Sequence, residues 1–368
     1  MLRLVTRVAS TLALASALAL ATTAPALADP PVPIPVPPPR AVDIVGVGAQ
    51  VTESLFNQFS AEYNASLTAA GDTGSPRLYS WDSTGSYTIT PKTGADSIVR
   101  PYNSDGAVVS LLANSSRTVD FARSARAPKI GDPTSAWFVA LAKDAVSWAA
   151  PTGGNAPASL SAAQLKYIYN CQITNWRQID PALPDAVIRP VLPGYFRVFE
   201  NGDVYLASDT AAYLNHALDQ SGRDHGLVPG PCVTPVDRDN QGVDAILHDP
   251  NAIVPYSVGR YLGQAYGGHT TPTDNPGLLV PHALDGVQPV SAATHTINTS
   301  FAATRYGRVL VNTVREYEWL STDAHGTALQ RILGRNGWVC RQDGGLPAIR
   351  SHGFLPLPPA ACGSTMHS

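Results

Sequence analysis

The run "FVALAKDAVSWAA", residues 138–150, is apolar apart from Lys143, Asp144 and Ser147 and reads as a buried strand. Neither it nor any later run approaches the roughly 20 apolar residues that a transmembrane helix needs. On its N-terminal side, "AVDIVGVG" (41–48) is apolar and β-branched and closes in a glycine turn. The following "TESLFNQFSAEYN" sets Leu55, Phe56, Phe59 and Tyr63 at helical spacing, with Thr52 as a helix N-cap. On its C-terminal side, "SLSAAQLKYIYN" carries a capping box, Ser161 with Gln164, ahead of Leu165 and Ile168 on one face. A second apolar strand, "AIVPYSV" (252–258), precedes the helix-like "GRYLGQAY", and "FAATRYGRVLVNTVREYEWL" reads as an amphipathic segment closing the fold. Strands and helices alternate throughout, which predicts an α/β protein with parallel strands.

The first 28 residues have the pattern of an export signal: Arg3 and Arg7, an apolar run, then Ala26 and Ala28 in an A-x-A cleavage site. Cleavage after Ala28 predicts a secreted, soluble chain without membrane insertion, and no Cys at that point offers a lipid anchor. Residues 29–40 form a proline-rich spacer, "PPVPIPVPPP" at its centre, favouring an extended polyproline conformation. Of 368 residues, 340 then remain, more than one ordinary core, so two domains are expected. Removing residues 1–28 takes 25 basic against 28 acidic side chains to 23 against 28, a net charge near −5 that disfavours nucleic acid and anionic membrane surfaces.

Four cysteines in an exported chain, Cys171, Cys232, Cys340 and Cys362, lack the tight C-x-x-C spacing of a zinc site and read as two disulfides, with free buried thiols as the alternative. Of three possible pairings, Cys171 with Cys232 and Cys340 with Cys362 is favoured because the loops then do not interleave. No phosphate-binding P-loop, zinc-protease, nucleophile-elbow or calcium-loop motif is present, and the nine His do not cluster with acids. No cofactor, metal or catalytic residue is expected.

Several local signatures occur in order: "VGVGAQVTESLFNQF", "VDFARSARAP", "FVALAKDAV", "LSAAQLKYIYNCQITNW", "AIVPYSVGRYL" and "GFLPLPPAACG". Together they resemble the PstS-like family, the extracytoplasmic phosphate-binding proteins of ABC importers, and most closely its actinobacterial secreted branch. The resemblance implies a type II periplasmic binding protein: two α/β lobes joined by two hinge strands and closing on a ligand between them. The crossings would lie near "FVALAKDAV" and "AIVPYSV". One lobe would combine residues 41–142 with 255–368 and the other would be 143–254. A monomer is expected, with a small anionic ligand and an ABC importer permease as partners.

In that family a dehydrated oxyanion rests on helix N-termini, hydroxyls and one Arg, and a carboxylate accepts the proton that phosphate carries and sulfate lacks. The resemblance maps the first ligand loop onto Gln50 and Thr52, the second onto Ser104 and Asp105, and the third onto Ser124. Ala125 stands where the accepting Asp is expected, and Asp105 is a candidate substitute. The fourth loop matches "IRPVLPGYFRVFENGD" only through Gly194 and Arg197, with Arg189 as another candidate cation and bulky Tyr195 and Phe196 where small residues belong. Each position also has a structural reading. Gln50 and Thr52 serve as turn and cap residues, Asp120 pairs with Arg or caps a turn, Arg126 stabilises a strand exit, and Trp176 belongs to a lobe core.

Two functions follow from the resemblance. One is a secreted solute-binding protein for phosphate or a related oxyanion, feeding an importer. The alternative is a degenerate binding-protein fold that has lost phosphate and recognises another ligand or a protein partner through Tyr195 and Phe196.

Overall fold

In a computed structural model of the chain, the described residues are 38–366 apart from 117, 202 and 220–225. The expected export signal and most of the proline spacer lie outside them. The elements that build the interlobe region begin with β1 (Ile44–Gly48) and α1 (Glu53–Ala69). β2 (Leu78–Ser80), α2 (Ser104–Ala113), β3 (Phe121–Ser124) and β4 (Ala136–Pro151) follow. Next come α3 (Ala162–Tyr169), β5 (Arg189–Pro193), β6 (Phe196–Val198), β7 (Val204–Leu206) and α4 (Asp209–Leu218). β8 (Thr234–Val236), β9 (Ala252–Ser257), α5 (Val258–Ala265) and β10 (Gly307–Arg315) complete the set.

One curled sheet runs through both lobes in the order β8-β5-β9-β4-β10-β3-β1-β2. The parallel pairs expected of an α/β fold are present at both ends, Ile44 opposite Leu78 in the first lobe and Thr234 opposite Val191 in the second. The middle is antiparallel, because β4 continues from one lobe into the other. Its N-terminal part pairs with β10, Ala136 opposite Arg315, and its C-terminal part with β9, Ala149 opposite Val254.

The alternation of β1 explains the layering of the first lobe. Ile44 faces a core built with Leu55, Phe56 and Phe59 of α1, whereas Val45 and Val47 face the opposite core with Ala107, Val108 and Leu111 of α2. The second lobe has its own core, in which Trp148 of β4 and Trp176 are fully buried with Leu165, Ile168 and Tyr169 of α3. Trp176 is therefore lobe core, as its structural reading holds. The capping box forms as well: Ser161 Oγ accepts from the Gln164 N–H at 3.2 Å, and Gln164 Oε1 accepts from the Ser161 N–H at 2.8 Å.

The return crossing differs from the expected position near "AIVPYSV". After β9 the chain stays in the second lobe, where Tyr261, Leu284, Phe301 and Tyr306 all join that lobe's core. It crosses back in β10, whose Leu310 and Val314 enter the first-lobe core. The physical reason is that "GRVLVNTVR" is an extended strand whose register follows β4, so the two crossings lie side by side. Both disulfides form as paired above, Cys171 with Cys232 in the second lobe and Cys340 with Cys362 in the first. No helix among the described residues is long and apolar enough to cross a membrane.

Candidate functional site

The C-terminal end of β1 is shaped by a glycine turn. Gly48 has φ +120°, and a side chain there would collide with Ala107 Cβ at 2.5 Å and the Arg123 carbonyl at 2.6 Å. Arg123, fully buried, ties this turn down by donating to the carbonyls of Gly48 at 2.7 Å and Trp81 at 2.8 Å. The turn thus leads directly to the seam between the lobes, with Gln50 and the N-terminus of α2 beside it.

Across the seam stands the N-terminus of α4. Ser208 caps it, accepting the Ala211 N–H at 2.9 Å, as a Ser-Asp-Thr opening before an apolar-periodic run does. Gly194, at φ +71°, lets β5 pass close beneath, since a Cβ there would lie 3.1 Å from both Ala207 Cβ and the Ser208 nitrogen. The two lobes meet through direct hydrogen bonds. Tyr102 Oη donates to the Asp237 carbonyl at 3.0 Å, Asn103 Nδ2 to the Ala207 carbonyl at 2.9 Å, and the Asp239 N–H to Gln50 Oε1 at 3.0 Å.

The central contact is between Asp209 and Ser104. The Ser104 N–H, first of α2, donates to both oxygens of the Asp209 carboxylate at 3.1 Å each. A helix N-terminus favours an anion through its unpaired amides and dipole, and here the chain's own carboxylate takes that position. Removal from water pushes the Asp209 carboxyl up to about 6, the hydrogen bonds from Ser104 pull it down, and the nearby Asp239 charge adds to the rise. Burial likewise raises Asp239, which accepts from the Thr210 N–H at 3.4 Å and keeps Oδ1 without a hydrogen-bond partner.

The residues singled out in the sequence divide into two groups. Gln50 and Ser104 lie in the seam. Thr52, the α1 N-cap, makes no side-chain capping bond, and its buried Oγ1 has no hydrogen-bond partner. Ser124 is fully buried and spends its hydroxyl on the Arg126 backbone, donating to the carbonyl at 3.1 Å. Asp105 is an ion-pair partner of Arg126 at 2.6 Å and Lys129 at 2.8 Å. Burial pushes its carboxyl up, but the Lys129 hydrogen bond and the Arg126 charge outweigh that and hold it below the usual carboxylate range. Ala125 gives its N–H to Ser104 Oγ at 2.9 Å.

Arg197 sits on the exposed β6–β7 hairpin, opposite Tyr205, with its guanidinium over the Phe199 ring at 4.9 Å. Part of the segment onto which the fourth ligand loop maps folds instead into that hairpin, and the next helix, α4, follows it with Ser208 as its N-cap. Arg189 pairs with Asp249 at 3.8 Å on the second lobe. Asp120 is structural, but its partner is not the Arg expected: it pairs with Lys92 at 2.7 Å, both side chains fully buried, and accepts the Val45 N–H at 2.6 Å.

Beside the Asp209–Ser104 contact a cavity of about 890 Å³ opens between the lobes. Val99, Pro101, Tyr102 and Val109 line it from the first lobe, and Tyr195, Tyr205, Val236 and Asp237 line it from the second. Tyr195 and Tyr205 lie 5.4 Å apart between ring centroids.

The fold is the two-lobed one of periplasmic binding proteins, and the solved structures agree on the fold. The chain is similar to an ABC-type phosphate transport receptor from Vibrio cholerae at 14% identity and TM-score 0.54, covering 86% of this chain and all of that one. A structure from Clostridium perfringens that holds bound phosphate matches at 13% identity and TM-score 0.54, over 86% and 100% of the two chains. A phosphate-binding protein from Stenotrophomonas maltophilia matches at 13% identity and TM-score 0.50, over 86% and 91%. No protein-family model and no curated protein sequence matches the chain.

Proposed function

We propose that this protein is an extracytoplasmic solute-binding protein in which Asp209 has taken the place of a free oxyanion, and that its solute enters the aromatic-walled cavity alongside. The observation that carries this reading is the Asp209 carboxylate on the Ser104 N–H. A phosphate ion at the α2 N-terminus would have to evict that carboxylate and then sit beside Asp239, two like-charge costs that the helix dipole, worth about 0.3–1 kcal/mol, does not offset. A cavity of about 890 Å³ spanning both lobes is of the size that holds small solutes. The two disulfides and the binding-protein neighbours support an extracytoplasmic setting, with an importer permease as the recipient.

Calorimetry of the secreted chain against phosphate, sulfate and arsenate tests this: no binding is expected at millimolar concentration. The Asp209→Gly variant frees the α2 N-terminus and is expected to gain measurable phosphate affinity. Micromolar phosphate binding by the unaltered protein would overturn the reading. A second reading rests on the Asp209 carboxyl itself, pushed up to about 6. If Asp209 turns toward a bound phosphate and accepts its proton, it supplies the acceptor missing at Ala125. Phosphate would then bind the unaltered chain, sulfate would not, and Asp209→Asn would remove the distinction.

A further inference from the structure

We propose that the cavity between the lobes takes a small organic cation, a protonated or quaternary amine with an apolar or aromatic body. This rests on the solute-binding reading above and assigns its ligand class. The walls present open apolar and aromatic faces: Val99 is 55% exposed, Val109 66% and Tyr195 67%. Such faces, with no cover from the chain, suit an apolar body, and the electron-rich face of a tyrosine ring attracts a cation within about 6 Å of its centre.

Asp237 and Arg100 are the charged side chains that line the cavity, and acids predominate behind them. Asp237 lines it as an exposed residue, and Asp209 and Asp239 stand behind Tyr102. Burial and the charges of Asp239, Asp209 and Asp237 together push the Tyr102 hydroxyl upward, with Arg238 opposing them. The other cations nearby are committed elsewhere. Arg100, though a lining residue, turns its guanidinium to the carbonyls of Ser86 at 2.7 Å and Asp82 at 2.7 Å. Arg308 is held by Asp144 at 2.9 Å. The three acids outnumber the two guanidiniums of Arg100 and Arg238, which leaves a net negative potential in a cleft with low-dielectric walls, repelling an anion and concentrating a cation.

A metal ion is the wrong cation for this arrangement. The acids are dispersed along the seam, and among the described residues no group of three or more His, Cys, Asp or Glu could hold one. Aromatic faces plus a single approachable carboxylate match an alkylammonium centre instead.

The test uses choline and benzyltrimethylammonium as probes, beside the uncharged isostere of choline in which carbon replaces nitrogen, and phosphate. Calorimetry and thermal shift are run on the secreted chain and on Tyr195→Ala and Asp237→Asn, both at exposed positions where the fold does not depend on the side chain. Both cations are expected to bind saturably and the isostere at least tenfold more weakly. Tyr195→Ala is expected to weaken choline about tenfold, within the range of a cation over an aromatic face. If the isostere binds as well as choline and Tyr195→Ala abolishes both, the ligand class assigned here is wrong while the solute cavity stands. If phosphate binds and Tyr195→Ala leaves it unchanged, the cavity reading itself falls. If no probe binds at millimolar concentration, the cation assignment is overturned.

Discussion

Asp144 and Arg308 form a fully buried ion pair at 2.9 Å, one on each of the two strands that cross between the lobes. Asp144 also accepts from Ser257 Oγ at 2.9 Å and the Gly259 N–H at 3.0 Å, and Arg308 donates to the Asp209 carbonyl at 3.2 Å. The hinge and the seam are thereby joined through one guanidinium. Replacing Asp144 by Asn leaves Arg308 buried without its ion-pair partner, so a loss of roughly 3–5 kcal/mol is expected in urea unfolding. The paired replacement Asp144→Asn with Arg308→Met is expected to lose less than the single change. Equal losses would show that the strands do not depend on the pairing.

The disulfides are expected to differ in weight. Cys171 and Cys232 are separated by 61 positions and Cys340 and Cys362 by 22. On the chain-entropy account, opening the first by paired Ser replacements costs roughly 4 kcal/mol and opening the second roughly 3. Equilibrium unfolding of the two double variants checks the order, and a reversed order would mean that native packing, not the closed loop, sets the stabilisation.

Much of this architecture is written in local patterns. The alternation of Ile44, Val45 and Val47, the spacing of Leu55, Phe56 and Phe59, and the Ser161–Gln164 box each specify their element through near neighbours. The non-interleaved cysteine pairs follow from the same economy of chain crossing. What local pattern does not carry is which lobe a strand joins: "GRVLVNTVR" becomes the return crossing only because β4 is 16 residues long and offers a partner over nine positions. The seam was legible at Gln50 and Ser104, which precede or open helices. Asp209 lies outside residues 188–203, onto which the family resemblance maps the fourth ligand loop, although "ASDTAAYL" carries an N-cap signal of its own.

Ala125 shows how the surroundings decide what a substitution does. It is 2% exposed and its N–H is already bound to Ser104 Oγ. Introducing Asp there buries a carboxylate where the basic side chains near it in sequence are already engaged, Arg126 and Lys129 with Asp105 and Asp132, and Arg123 with the carbonyls of Gly48 and Trp81. A loss of about 2–4 kcal/mol is expected. Phosphate binding is not expected to appear while Asp209 remains. Phosphate binding by Ala125→Asp alone, read by calorimetry, would contradict the internal-anion account.

The titration of Asp209 gives the account a signature that binding assays do not. Its carboxyl lies at about 6 in the folded chain, raised first by burial, against 3.8 ordinarily. The charged groups that face it are Asp239, which raises it further, and Arg308, which lowers it, while Ser104 donates to it. The folded state therefore binds this proton more tightly than the unfolded chain does. The resulting stabilisation is fully present below about pH 4 and disappears as pH rises through about 6. Asp209→Asn keeps the shape and removes the titration. The stability of the Asn variant relative to the unaltered protein is therefore expected to improve with pH between about 4 and 7, by roughly 2–3 kcal/mol. Parallel stability profiles for the two proteins across that window would mean that the Asp209 carboxylate is not held, desolvated, against the α2 N-terminus.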